Sequence, residues 1–244
     1  GLIVSESSKQ RLDKELLGRK LVSSRSQAED TIKRGFVIVN GREITKPGFL
    51  VDEESDIKIA ERERFVSRAG EKLASVKAAL KIEFKDKLVL DVGSSTGGFT
   101  DLALRNGAKK VIAVDVGSDQ MHSSLRQNIR VELHEKTDIR DFKTDQKIDL
   151  VLADVSFISL REILPYVAKL CTASTELVVM VKPQFEAGTE LKHKGVIKNE
   201  KIRRNILKDF ENWTQKLFKV VQKADSEVSG SKGNRERFYR LKKL

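Results

Sequence analysis

The sequence is poor in the groups that build metal centres and disulfides. It has one cysteine, Cys171, and three histidines. A lone cysteine forms no internal disulfide and no cysteine-based metal cluster, and His122, His134 and His193 are scattered without metal-ligand spacing, so no metal is expected. This thiol usage fits a reducing, cytoplasmic setting. No apolar run approaches the ~18 residues that a membrane-spanning helix needs. The N-terminal stretch GLIVSESSKQ holds three consecutive apolar residues with no basic residue before them, so it does not read as a signal peptide. Internal repeats and low-complexity tracts are also lacking.

What is abundant is charge. Charged residues make up 34% of the 244 residues, the formal net charge is +11 and the pI is near 9.6. A chain of this length can bury a core, and a basic balance favours a polyanionic partner. The charge is uneven: residues 182–244 carry a net +9, residues 9–34 a net +4 and residues 35–60 a net −2. The basic surface is therefore expected on the first helical pair and on the C-terminal third.

Residues 9–34 read as two short helices. Leu12 and Leu16 share a face with Leu17 beside them, and Gly18 marks an end. In SSRSQAEDTIKRG, Ser24 or Ser26 can cap the second helix, and Gly35 stops it. FVIVNGREI is two strand-like runs around Asn40-Gly41, a strong hairpin signal, and GFLVDEESDIKIA is expected to add a second strand pair. Residues 61–72 form a charged connector that enters a helix. From residue 87 the pattern alternates strands and helices. The strands are KLVLDVG (87–93), KVIAVDVG (110–117), VELHEKT (131–137), IDLVLADV (148–155) and STELVVMVKP (174–183), followed by a C-terminal pair near residues 219–228 and 235–243. This predicts a doubly wound α/β domain behind a small α+β module of roughly fifty residues.

The first strand of that α/β domain runs into DVGSSTGGFTD, at the turn where such sheets bind ligands. A phosphate-cradling P-loop needs a terminal Gly-Lys-Ser/Thr, and the loop instead ends Gly97-Gly98-Phe99. A dinucleotide fingerprint fits poorly. The D-x-G-x-G-x-G pattern of methyltransferases matches Asp91, Gly93 and Gly97, with Ser95 in the middle glycine's place. Two further acids support it. Asp115 ends the second strand, where a carboxylate can accept hydrogen bonds from ribose hydroxyls, and Asp138 follows the third, where it could meet an adenine amino group. The expected cofactor is S-adenosylmethionine (SAM), with Asp91, Gly93, Ser95, Gly97, Gly98, Phe99, Asp115 and Asp138 as its binding residues. The alternative is that these acids are helix caps and solvated strand ends.

The fourth strand ends in ADVSFISL, without the proline pair of DNA-amino methyltransferases. Neither cysteine nor histidine is placed as a nucleophile, which disfavours carbon methylation. Asp154 and Lys182, at the ends of the fourth and fifth strands, could orient a hydroxyl, and a lysine can serve as its base.

VSRAGEKL, DVGSSTGGFTD, LADVSF, VKPQFE and GNRERFY together resemble the FtsJ-like ribose 2′-O-methyltransferases, and more closely their hemolysin A (TlyA) group, over nearly the whole chain. The resemblance implies a Rossmann-like class I SAM-dependent methyltransferase domain over residues 73–244, after a linker at 61–72. It implies a catalytic tetrad of Lys72, Asp154, Lys182 and Glu236, with Lys182 as the base. Residues 1–60 resemble the small RNA-binding domain named after ribosomal small-subunit protein four, and Lys9, Arg11, Arg25, Lys33 and Arg34 are the candidates to meet RNA phosphates. The implied activity is 2′-O-methylation of cytidines in small- or large-subunit ribosomal RNA, within assembled subunits. The hemolysin name raises a pore-associated protein as the competing class, and an RNA-binding protein with an inactive methyltransferase domain is a third. The segment 186–200 is a candidate loop over the acceptor.

Overall fold

The computed structural model describes residues 8–61, 63–187, 197, 199–228 and 234–244. It divides into two compact units, Gly1–Glu63 and Arg64–Leu244. Most of the candidate acceptor loop, residues 188–196, lies outside the described residues, as do His193 and Gly233.

The first unit opens with the short strand β1 (Gln10–Arg11) and helices α1 (Leu12–Gly18) and α2 (Arg25–Lys33). Leu12 and Leu16 pack fully buried with Ala28 and Ile32. Leu17 points outward at 40% exposure, because one residue on from Leu16 is about 100° around the helix. Ser24 is the cap: its hydroxyl accepts from the Gln27 N–H at 3.1 Å. Asn40 and Gly41 both take positive φ, +48° and +80°, the backbone of a type I′ hairpin turn between β2 (Val37–Val39) and β3 (Arg42–Glu43).

The strand pair expected within residues 48–60 does not form. Both runs are strands, β4 (Leu50–Val51) and β5 (Ile57–Ile59), but β4 pairs antiparallel with β1 and β5 pairs antiparallel with β2. Val51 and Ile57 both reach the core of this unit. Alternation specifies which face of a strand is buried and leaves its neighbour open.

The second unit is a seven-stranded sheet with helices on both faces. Its elements are α3 (Arg68–Leu80), β6 (Leu88–Val92), α4 (Gly98–Arg105), β7 (Lys110–Val114), α5 (Ser123–Arg126), β8 (Val131–His134) and β9 (Leu150–Ala153). After them come α6 (Leu164–Leu170), β10 (Glu176–Val181), α7 (Pro183–Glu186), α8 (Glu200–Thr214), β11 (Phe218–Asp225) and β12 (Arg237–Lys243). The strand order is β11-β12-β10-β9-β6-β7-β8. Strands β6 to β10 run parallel, while β12 is antiparallel to β10 and to β11.

Successive strand residues alternate between two cores. Leu90, Val151, Val179 and Tyr239 face α6 and α8, whereas Val89, Leu152, Val178 and Phe238 face α3 and α4. Burial on both faces explains the near-continuous apolar runs in the sequence. The chain goes from β6 outward to β7 and β8, then returns to β9 on the other side of β6. That reversal opens a crevice at the carboxyl ends of β6 and β9, where ligands of open α/β sheets bind.

Candidate functional site

Residues Gly93 to Gly97 form the turn between β6 and α4, at this crevice. Gly93 has φ +77°, and a Cβ there would lie 2.0 Å from the Asp154 carbonyl oxygen. Glycine alone therefore lets the end of β6 approach the end of β9. Gly97, at φ +104°, starts α4. Ser95 takes the left-handed backbone that a glycine would adopt, φ +48°, so the loop keeps its shape despite the departure from the glycine pattern. It is held there by its N–H, which donates to Asp115 Oδ2 at 2.8 Å. Asp115 Oδ1 accepts from the Gly117 N–H, also at 2.8 Å. Each oxygen has a second lone pair left for a ligand hydroxyl.

Asp91 is buried beneath the loop at 1% exposure. Its Oδ2 accepts from Thr100 Oγ1 at 2.7 Å, and its Oδ1 has no hydrogen-bond partner among the described residues. Burial first, and then the nearby charges of Asp154 and Asp115, push the carboxyl up to about 7, against the Thr100 hydrogen bond. A buried acid with one orphaned oxygen, in a crevice of three acids, fits a cationic ligand group. The buried Ser94 hydroxyl is similarly without a partner among the described residues.

The other loop candidates differ in kind. Phe99 is 2% exposed and stacks obliquely on Phe238, with ring centroids 6.2 Å apart, so only its backbone can face a ligand. Gly98 serves helix packing as well: a Cβ would fall 2.7 Å from the Gly70 nitrogen on α3. Asp138 is gripped by Arg140, whose Nη2 donates to Oδ2 at 2.7 Å and whose Nε lies 3.1 Å from both oxygens. This guanidinium holds the Asp138 carboxyl below the usual range.

The four tetrad candidates come together as two ion pairs. Lys72, in the first turns of α3, donates from Nζ to Glu236 Oε1 at 2.7 Å, and both side chains are buried. Lys182, directly after β10, pairs through Nζ with Asp154 Oδ1 and donates to Ser156 Oγ at 2.8 Å. Register links the pairs. Val181 faces Arg237 in the antiparallel β10–β12 ladder, so the next rung sets Lys182 opposite Glu236. On the other side, Val92 faces Ala153, so the next rung sets Gly93 beside Asp154. The methyltransferase-type loop and both ion pairs thus meet at the carboxyl ends of adjacent strands. Cys171 is buried away from this region within the core, and burial pushes its thiol up to about 11. Such a thiol is a poor nucleophile.

In the first unit the five basic candidates do not form one cluster. Arg11 and Arg25 share a carboxylate, with Nη2 of each at 2.9 Å and 3.4 Å from Asp13 Oδ2. Lys33 and Arg34 lie at the opposite end of α2, roughly 12 Å along a helix of this length. Arg34 pairs with Asp30 at 3.8 Å, and its guanidinium is 5.6 Å from the centre of the Phe36 ring. Lys9 is exposed, beside a shallow cleft lined by Asn40, Phe49 and Leu50.

Residues 65–243 match the FtsJ-like methyltransferase family, and residues 10–57 match the S4 domain. The chain belongs to the FtsJ-like methyltransferase family. Its relatives include the 23S rRNA (cytidine-2′-O)-methyltransferase TlyA of Campylobacter jejuni, 39% identical over 91% of this chain and 96% of that protein. The 16S/23S rRNA (cytidine-2′-O)-methyltransferase TlyA of Mycobacterium tuberculosis is 36% identical over 95% of this chain and 89% of that protein. A solved structure described as a hemolysin, from Streptococcus thermophilus, aligns with a TM-score of 0.73 at 36% identity, covering 97% of this chain and 89% of that one.

For this FtsJ-like chain, residue patterns missed several groups that the fold brings to the crevice. Thr100 lies nine residues after Asp91, and only the turn into α4 returns it to that carboxylate. Ser156 sits two residues after Asp154, yet its role depends on Lys182 from another strand. Glu186 is buried and accepts from Ser159 Oγ at 2.5 Å and from the Leu160 N–H at 2.7 Å, tying the loop after β9 to the turn after β10. Phe157 carries a signal that only coordinates reveal. It is 91% exposed, has φ +64°, and its ring centroid lies 5.2 Å from that of Phe185. Phe157 thus combines a left-handed backbone with an exposed side chain, three residues from Asp154.

Proposed function

We propose that this chain transfers a methyl group from SAM to the ribose 2′-hydroxyl of a cytidine in ribosomal RNA. The observation that carries the proposal is the meeting of the Lys72–Glu236 and Lys182–Asp154 pairs with the Asp91 loop at the strand ends. The named activities of the Campylobacter and Mycobacterium relatives supply the substrate class. Bound SAM supplies an electrophilic methyl group on a sulfonium that leaves as a neutral thioether.

The chain's own residues do the rest. Asp91, with its unshared Oδ1, suits the cationic part of the cofactor, and Asp115 suits the ribose hydroxyls. Lys182 Nζ, placed by Asp154 and Ser156, acts in its unprotonated form: it takes the acceptor hydroxyl's proton as that oxygen bonds to the methyl carbon and the methyl–sulfur bond breaks. Lys72 and Glu236 orient this end of the sheet as a buried ion pair. The open ring of Phe157 offers a surface on which an unstacked base can lie. The first unit holds RNA through its basic side chains, mostly by phosphate contacts.

Among the described residues, no helix is long and apolar enough to cross a membrane, and no observation at the site favours a pore. The test is methyl transfer from labelled SAM to ribosomal subunits lacking the modification, followed by mapping of the label. Label on a ribose 2′-oxygen, lost with Lys182→Ala, is expected. Label on a base would sink the hydroxyl chemistry, and no label on either subunit would overturn the ribosomal assignment.

A further inference from the structure

Asp13 is 0% exposed, yet it is a carboxylate in a small unit with a modest core. Its Oδ1 accepts from Arg11 Nε at 3.1 Å and from the Lys14 N–H at 2.9 Å. Its Oδ2 accepts from Arg11 Nη2 at 2.9 Å and from Arg25 Nη2 at 3.4 Å. Arg11 is thus gripped side-on at two points, while Arg25 reaches the same oxygen from the start of α2. The two arginine side chains are 45% and 46% exposed and share one fixed anchor, which leaves N–H groups that Asp13 does not use for a ligand. Gly48 lies beside Arg11: a Cβ there would make an ordinary contact of 3.4 Å with Nη1, the nitrogen that Asp13 does not use.

Two arginines held side by side on one buried carboxylate are a net positive, pre-organised fork for a phosphate, which guanidiniums bind through paired N–H groups. We infer that Asp13 is a positioning residue that holds Arg11 and Arg25 together as a two-point receptor for an RNA backbone phosphate. This rests on the RNA-binding role proposed above for the first unit.

The opposing account is a plain staple between β1, α1 and α2, and the two accounts predict changes of opposite sign. Neutralising Asp13 removes a negative charge next to the phosphates, so charge alone makes Asp13→Asn bind RNA more tightly, with a steeper salt dependence. If Asp13 positions the arginines, releasing two long side chains weakens binding by about tenfold, since each immobilised side chain is worth ~0.5–1.5 kcal/mol.

The experiment is titration of a labelled RNA stem-loop with the full chain at several salt concentrations, with thermal melts of every variant. The expected result is weaker binding and a shallower salt slope for Asp13→Asn. Asp13→Glu, which keeps the charge but displaces it, is expected to weaken binding too. Tighter binding by Asp13→Asn overturns the inference. Should Asp13→Asn fail to fold, Arg11→Lys decides: it keeps the charge but cannot span both Asp13 oxygens, so several-fold weaker binding supports the fork and unchanged binding overturns it. If Arg11→Ala and Arg25→Ala together leave RNA affinity unchanged, the receptor inference is overturned; if replacing Lys9, Lys33 and Arg34 as well changes nothing, the RNA role of the first unit falls with it.

Discussion

Lys72→Ala isolates the energetics of the buried Lys72–Glu236 pair of the proposed tetrad. Lys72 Nζ is 2.7 Å from Glu236 Oε1, and the two side chains are 11% and 3% exposed. Glu236 Oε2 has no hydrogen-bond partner among the described residues, so the lysine supplies the carboxylate's one described side-chain contact. Removing it strands a desolvated negative charge, which costs ~3–5 kcal/mol. In a unit of this size each kcal/mol moves the melting midpoint by ~2–4 °C, so the variant should melt about 10 °C lower.

The cost arises from an uncompensated charge and not from lost attraction, so it should be recoverable. Lys72→Met combined with Glu236→Gln removes both charges and should regain most of the loss, giving a coupling of ~2 kcal/mol or more in the cycle of Lys72→Met, Glu236→Gln and their double variant. Methyl transfer should stay impaired in the same double variant, which separates stability from chemistry. The assay is thermal and urea unfolding of the wild type, both single variants and the double variant at one pH. A Lys72→Ala melt within ~1 °C of wild type, or a double variant no better than the single, would refute the buried-pair reasoning.

Three further outcomes follow from the same geometry. Lys182→Ala should lower methyl transfer by about a hundredfold or more while leaving SAM affinity within a few-fold, as for loss of a general base; undiminished turnover would remove Lys182 from that role. With the Asp91 carboxyl raised to about 7, SAM affinity measured by calorimetry should increase from pH 6 to 8 and then level, because the cationic ligand requires the ionised acid. The same shift runs the other way for ligand-free stability: the contribution is fully present below the ordinary value of 3.8 and is lost as pH rises through about 7. Asp91→Asn should flatten both profiles, and a flat wild-type affinity would contradict the assignment. Phe157→Ala should leave the melting midpoint unchanged, since its ring is 91% exposed, yet reduce methyl transfer to RNA by about tenfold, the scale of one lost base–aromatic stack; full activity would exclude the ring from acceptor binding.

The elements of the second unit were legible because both faces of the sheet are covered. The runs at Leu88–Val92, Lys110–Val114, Leu150–Ala153 and Glu176–Val181 are apolar nearly throughout and are bounded by acids, glycines and lysines. The strand ends were legible for a related reason: Gly93, Asp154 and Lys182 stand directly after apolar runs, and Asp91 is the one acid inside the first. Ser95 shows the limit of the pattern. Its departure from glycine left the loop shape open, and the Asp115 hydrogen bond that holds φ at +48° comes from a residue twenty positions away.

In the first unit, local signals carried the helices, the Ser24 cap and the Asn40-Gly41 turn, each of which depends on a few neighbouring residues. The partners of β4 and β5 could not be read from the same signals, because alternation sets a strand's inward face and says nothing of which edge it joins. The same distinction divides the rest of the molecule. By itself, the order of residues determined the strand and helix succession and the glycine-bearing turn, while its family resemblance supplied the four charged side chains of the proposed tetrad. Tertiary structure alone decided how those four pair, that Glu186 ties two loops together, that Phe157 faces solvent, and that Asp13 collects two arginines. Periodicity and turn chemistry act over a few residues, whereas ion pairs and exposure arise between segments that are distant in the chain and meet only when the sheet has closed.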